Sequence, residues 1–242
     1  MPATVPPRSP GVSNRSISSC IVVFRSLLDP SSHRLFGCKI GHSSNNRGCP
    51  HFVNWYFKEL ELNRTLNDWL VELEGSLEDW EISALNDRSY LDDCFACNLS
   101  FGTGGIRGLM GVGPNRMNAV TIGRATQGVA SYLNHASKSD RSSVAIAYDT
   151  RIHSHDFAVK TACVLAGNNI ECHLFKTHQP TPLLSYAVRK LGCDAGICIT
   201  ASHNPMEYNG YKVYGHTGDQ APDSLAKSIQ SQIELVDPFD DV

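Results

Sequence analysis

Nothing in this 242-residue chain is long and apolar enough to suggest a membrane span. The best stretch, Cys20 to Leu28, carries Arg25 and falls well short of the roughly 18 apolar residues a spanning helix needs. An excess of one charge is also lacking: 21 Lys and Arg stand against 24 Asp and Glu, a formal charge of −3. No global basic field points to nucleic acid, so local cations must carry any anion binding. Regular cysteine spacing is missing too. The nine cysteines, an odd number, scatter from Cys20 to Cys198, which argues against a secreted disulfide framework and for a reducing, cytoplasmic compartment. Cys94 and Cys97 form a Cys-x-x-Cys pair, but no second pair or His-x-x-x-His follows, so the spacing reads as chance recurrence. Asn14, Asn63 and Asn98 open glycosylation-type triplets, which carry little weight without a secretion signal.

Several enzyme signatures are absent as well. Ser202 lies between Ala201 and His203, without the glycines of a hydrolase nucleophile elbow, and no base or acid partner can be assigned to it. Counted from Gly102, the third glycine of a dinucleotide fingerprint is Arg107. No Gly-Lys-Ser or Gly-Lys-Thr follows a glycine at P-loop spacing.

What is present is 41% hydrophobic residues, ample for a core, in an ordered sequence of segments. Residues 1–50 are rich in Ser, Pro, Gly, Asn and Arg with no sustained period, and read as a disordered leader. Arg8, Arg15 and Arg25 precede the first acid, Asp29, a composition compatible with organelle targeting. Residues 51–98 read as a helical lead-in, because Trp69, Leu70, Leu73 and Leu77 recur at threes and fours. Residues 99–220 form the main domain, with residues 221–242 a linking helix and the start of a second one.

Within the main domain a glycine loop, Gly102-Thr103-Gly104-Gly105-Ile106-Arg107-Gly108, precedes a helix over Thr121 to Leu133. Strands then alternate with helices: a strand over Ser143 to Tyr148, a helix over Ser154 to Gly167, a strand over Ile170 to Phe175, a helix capped by Thr181 with Pro182 at its first position, and a strand over Ala195 to Thr200. Asn209-Gly210 reads as a tight turn into a further strand, Tyr211 to Tyr214, with Tyr211 and Val213 on one face and Lys212 on the other. The expected fold is α/β: a three-layer α/β/α sandwich on a mainly parallel mixed sheet. In such sheets ligands collect at the carboxyl ends of the strands. Asp149-Thr150-Arg151 and Thr200-Ala201-Ser202-His203-Asn204 both fall there.

These residue types suit phosphoryl transfer, which needs an in-line nucleophile, cations and donors to spread negative charge. Ser202 offers the hydroxyl, loop amides and Asn204 can donate, and Lys212 and Arg107 bring charge. Each has a plainer reading. Ser-His-Asn-Pro is ordinary turn composition, Lys212 a solvated strand residue, Arg107 a surface ion pair and Arg151 a salt bridge of negligible value. Their shared end of the sheet favours the functional reading.

Taken in order, Phe101 to Gly108, Asn115-Arg116-Met117-Asn118, Tyr148-Asp149-Thr150-Arg151, Pro180-Thr181-Pro182, Thr200 to Pro205 and Asn209 to Tyr214 resemble the motifs of the α-D-phosphohexomutases, over about residues 66–235. The Gly-Thr-Gly-Gly variant and Ala125-Thr126-Gln127-Gly128 are most similar to the bacterial-type phosphoglucomutase and phosphopentomutase branch. The resemblance implies a phosphoserine at Ser202 whose phosphoryl group also ligates Mg²⁺, Lys212 as general acid or base, and Arg107 beside the transferring phosphate. Thr103, His203, Asn204 and Arg151 would bind the substrate, Arg151 from a position that also supports the site. It further implies a hexose or pentose phosphate as substrate, turned over through a bisphosphorylated sugar with glucose 1,6-bisphosphate or a similar activator. The family's acidic metal loop, sugar-selecting loop and second phosphate-binding loop, on domains II to IV, have no match here. The chain is therefore expected to be an incomplete mutase, with a non-catalytic sugar-phosphate-binding or regulatory domain as the alternative.

Overall fold

The structure, a computed structural model, describes residue 62 and residues 65–136 and 142–242. The leader and the first part of the lead-in lie outside the described residues. In the lead-in, helical residues 65–72 end at a turn. Gly75, at φ 76°, turns the chain, and two short helices follow: α1 (Asp79–Ala84) and α2 (Arg88–Cys94). The Asp87 carboxylate starts α2 by accepting from the Ser89 and Tyr90 amides at 2.8 and 3.3 Å.

Then follow β1 (Gly105–Leu109), α3 (Ala119–Ala136), β2 (Ser143–Tyr148), α4 (Ser154–Gly167), β3 (Glu171–Leu174), α5 (Thr181–Leu191), β4 (Ala195–Ile199), β5 (Tyr208–Gly215) and α6 (Asp223–Ile233). The five strands form one mixed sheet in the order β1-β5-β4-β2-β3. β2 runs parallel to β3 and β4, whereas β5 is antiparallel to both β4 and β1. It follows that four strands share a direction and β5 alone opposes them. The carboxyl ends of β1, β2 and β4 and the start of β5 thus meet at one edge.

The faces of the sheet are covered unequally. Ile106, Val144, Ile146, Ile197, Ile199, Tyr211 and Val213 pack with buried residues of α3, α4 and α6 in the larger core. On the other face α5 supplies Leu184, Ala187 and Val188 against Ala145, Ala147 and Cys198 of β2 and β4. Period two puts Arg107, Gly210, Lys212 and Cys198 on that second face, and α5 leaves its β1–β5 side open. The reversed strand thus separates a covered half from a half where cations reach solvent.

Three local expectations change. Asn209 and Gly210 lie inside β5, not in a turn, because the Asn209 side chain is fully buried and bonds the Ile152 carbonyl at 3.0 Å and Ser154 Oγ at 3.1 Å. Pro180 rather than Thr181 caps α5, and Thr181 Oγ1 instead lies 3.6 Å from Cys198 Sγ. The helix taken as a link, α6, inserts Ala226, Ile229 and Ile233 into the larger core. Within that core the Tyr211 and Thr126 hydroxyls are 3.1 Å apart, and Thr126 Oγ1 also bonds the Ile122 carbonyl at 2.8 Å. Thr126 has one hydroxyl proton and gives it to Ile122, so Tyr211 is the donor of the pair.

The glycine loop becomes a tight turn, with Gly102 N–H to Gly105 O at 2.9 Å and Gly105 N–H to Gly102 O at 3.0 Å. Gly105 sits at φ 142° with no room for a side chain, since a Cβ there would collide with the Tyr211 carbonyl on β5. We expect Gly105→Ala to cost about 2 kcal/mol or more by forcing β1 off β5. Gly102→Ala, whose Cβ would lie 3.9 Å from the nearest atom, should be tolerated. Urea midpoints of the two variants check this.

The lead-in meets the sheet domain through a buried contact. Glu81 of α1 is 2% exposed, and its carboxylate lies 3.4 Å from His153 Nε2 at the start of α4. The hydrogen bond to Glu81 raises the His153 pKa above its ordinary value; burial opposes this, while Glu78 and Asp156 add to it. A raised histidine pKa stabilises below the unfolded value and loses that contribution as pH rises through the folded one. Thermal midpoints should therefore fall through this group as pH rises through and above the ordinary histidine value of about 6.5. His153→Asn, which tolerates the φ of 61° at this position, should flatten that part of the profile.

Candidate active site

The loop after β4 carries the predicted carrier serine at the sheet's open edge. Ser202 is exposed and has φ 60°, a left-handed conformation that costs a non-glycine residue about 1–2 kcal/mol. Local bonds hold it there. Its amide donates to Thr200 Oγ1 at 2.9 Å, and the Asn204 amide donates to the Ala201 carbonyl at 3.2 Å. Below the loop, Thr200 N–H donates to Gly210 O at 2.9 Å, and a Cβ at Gly210 would come within 2.6 Å of the Thr200 carbonyl.

Arg107, on β1, crosses to this loop and donates from Nη1 to Asn204 Oδ1 at 2.9 Å. This brings together two groups that are 97 residues apart in sequence. Lys212 is half-buried on β5, in register with Gly105 on one side and Cys198 on the other, and shares a face with Arg107. Burial raises the Cys198 thiol pKa and outweighs the lowering by the Thr181 hydroxyl and by nearby Lys212, so this cysteine is a packed neutral group. Among the described residues neither Arg107 nor Lys212 has a carboxylate within ion-pair distance. A pair of unneutralised cations on one face is a field suited to an anion. His203 is exposed beside Ser202.

Two predicted substrate contacts are occupied otherwise. Thr103 Oγ1 donates to the Asp223 carboxylate at the start of α6. Arg151 turns away from solvent: Nη1 donates to the carbonyls of Pro205 and Tyr208 at 2.8 and 3.1 Å, and Nη2 to those of Ser202 and Asn204 at 2.9 and 2.7 Å. Nε faces Asp149 Oδ2 at 3.3 Å. Of the five N–H groups of the guanidinium, four are hydrogen-bonded to backbone carbonyls and the fifth faces a carboxylate, so its polar edge is turned into the protein. Sequence reasoning assigned no site role to Asp149, Ser154 and Asn209, which stand behind Arg151. The signal for Asp149 was its place at the end of β2; that for Asn209 was hidden by the turn-like Asn-Gly pair.

As for a divalent ion, the described residues contain no group of three His, Cys, Asp or Glu that could hold one. At this edge the chain itself offers the Ser202 oxygen, too few ligands for a hard cation that takes six or more oxygens. No step of chemistry is assigned to a metal on these residues.

Residues 98–238 match the family described as phosphoglucomutase/phosphomannomutase, alpha/beta/alpha domain I. Among curated proteins, a phosphoglucomutase of Staphylococcus saprophyticus is 45% identical over 139 residues, which is 57% of this chain and 25% of that protein. One from Staphylococcus epidermidis is 40% identical over 169 residues, 69% of this chain and 30% of that protein. A solved structure from Thermus thermophilus, named for phosphomannomutase, superposes with a TM-score of 0.52 at 33% identity, covering 57% of this chain and 30% of its own. The chain thus spans 25% to 30% of the length of these relatives. The match extends from the residues before the glycine loop through α6 and so takes in Arg107, Arg151, Ser202 and Lys212, and the chain accordingly belongs to the phosphoglucomutase/phosphomannomutase family.

Proposed function

We propose that this chain supplies the phosphoryl-carrier part of a phosphosugar mutase, with Ser202 as the carrier. The observation that supports this most is the juxtaposition at the open edge: an exposed serine in a left-handed turn, with Arg107 tied to the same loop and Lys212 on the same sheet face. In the step proposed, Ser202 Oγ forms a bond to phosphorus as the bond from phosphorus to a sugar oxygen breaks. The serine proton ends on that sugar oxygen, directly or by way of the Lys212 amine. Arg107 spreads the charge on the transferring group, a role that requires little reorganisation because its guanidinium is already held by Asn204. The reverse step returns the phosphoryl group to a different hydroxyl, which is how a mutase isomerises its substrate.

The groups that would hold the sugar ring and its second phosphate belong, in this reading, to domains II to IV. They would also complete a Mg²⁺ site to which this chain contributes the Ser202 phosphoryl oxygens. Thr103 would join the substrate shell only by leaving Asp223, whereas Asn204 and His203 already line the loop. Which sugar is used would be decided outside these residues.

The alternative is a domain that binds sugar phosphate without transfer. Intact-mass analysis after incubation with glucose 1,6-bisphosphate separates the two. We expect one added phosphoryl group in the unaltered chain and none in Ser202→Ala. Binding of the sugar bisphosphate without any added mass would favour the alternative.

A further inference from the structure

Arg151 sits at the centre of the carrier loop, not at its rim. The carbonyls of Ser202, Asn204, Pro205 and Tyr208 all converge on its guanidinium, at 2.7 to 3.1 Å. A loop has no strand or helix to satisfy its carbonyls, and a cation that accepts no hydrogen bonds gathers three of them, with that of Tyr208 at the start of β5, at one point. The guanidinium is in turn fixed from behind by a chain of polar groups. Asp149 Oδ2 faces Nε, and Asp149 Oδ1 accepts from the Arg151 amide at 3.0 Å and from Ser154 Oγ at 2.7 Å. Ser154, itself fully buried, accepts from Asn209 Nδ2 at 3.1 Å, and the same Nδ2 donates to the Ile152 carbonyl at 3.0 Å. Asn209 Oδ1 accepts the Gly210 amide at 2.7 Å, which anchors the chain in β5.

The direction of the peptide units gives this arrangement a consequence. Among the described residues there are no cis peptide bonds, so each amide there points opposite to the carbonyl before it. With the Ser202 and Pro205 carbonyls drawn inward to Arg151, the His203 and Met206 N–H groups face outward, on the solvent side of the loop. Among the described residues neither amide is used in a backbone hydrogen bond. Outward amides on a turn that contains a left-handed residue form an anion-binding concavity.

We propose that Arg151 is a positioning residue: by drawing four carbonyls inward it fixes the left-handed backbone of Ser202 and turns the His203 and Met206 amides toward an incoming phosphate. Asp149, Ser154 and Asn209 act through it, by fixing the plane of the guanidinium. This rests on the reading of Ser202 as the phosphoryl carrier but assigns roles to residues that do not touch the substrate. Lysine cannot replace Arg151, because a single ammonium carries three donors on one atom and cannot reach four carbonyls and a carboxylate.

Amide and carbon NMR of the full chain, titrated with inorganic phosphate, tests the proposal. In the unaltered chain phosphate should shift the His203 and Met206 amides, and the Ser202 Cα and Cβ resonances should report a left-handed residue. Arg151→Lys should abolish the phosphate shifts and change the Ser202 carbon resonances, while the amides of β2 and β4 stay in place. Asp149→Asn, a milder change, should weaken the phosphate response several-fold and would carry the test if Arg151→Lys failed to fold. Unchanged Ser202 resonances and phosphate shifts in either folded variant would overturn the proposal. So would the absence of phosphate shifts at His203 and Met206 in the unaltered chain. If the phosphate response follows this pattern yet Ser202 takes no phosphoryl group from glucose 1,6-bisphosphate, the positioning role stands and the carrier reading fails.

Discussion

One planar cation holds the loop after β4 together. Four carbonyls and one carboxylate surround the Arg151 guanidinium, whose side chain is 14% exposed. An isolated surface ion pair adds little stability, but this group satisfies a loop that would otherwise leave backbone oxygens without partners in a half-buried place. Truncating it would therefore expose several unmet acceptors at once, and the left-handed turn at Ser202 would keep just the Thr200 hydroxyl and the Asn204 amide to hold it.

The sheet provides the place for that loop. β5 alone runs against its neighbours, which sets Lys212 beside β4 and brings Arg107 of β1 onto the same face. Helix α5 covers that face over β2 and β4, leaving the two cations beside an open edge. On the opposite face α3, α4 and α6 close the larger core. The buried chain from Asn209 to Arg151 ties these parts together, because its members come from β5, the start of α4 and the end of β2. The left-handed backbone at Ser202 is sustained by packing elsewhere, as a sparsely populated conformation requires.

Much of this was legible in the sequence. The strand over Ser143 to Tyr148 and the helix over Ser154 to Gly167 matched their observed bounds, because an unbroken apolar β-branched run and a 3.6-residue stripe are strong local signals. β1 was less visible. Gly105, Arg107 and Gly108 have poor strand propensity, and the segment is a strand only because β5 pairs with it. Asn209-Gly210 misled for the converse reason: the pair favours a turn, but tertiary burial of the Asn209 side chain overrides that preference. At the site, residue types at strand ends marked Ser202 and Arg151, the glycine loop marked Arg107, and strand alternation marked Lys212. They did not show that Arg151 faces the protein rather than a ligand, since an inward arginine and an outward one have the same sequence signature.

The most direct test is the rate at which Ser202 accepts a phosphoryl group from glucose 1,6-bisphosphate in Arg151→Lys and in the unaltered chain, followed by intact mass under conditions where both are folded. The expected result is phosphorylation of the unaltered chain on Ser202 and a rate at least about 10-fold lower in the variant, the order of penalty a misplaced reacting group incurs. Equal rates in two folded proteins would contradict a loop positioned by Arg151.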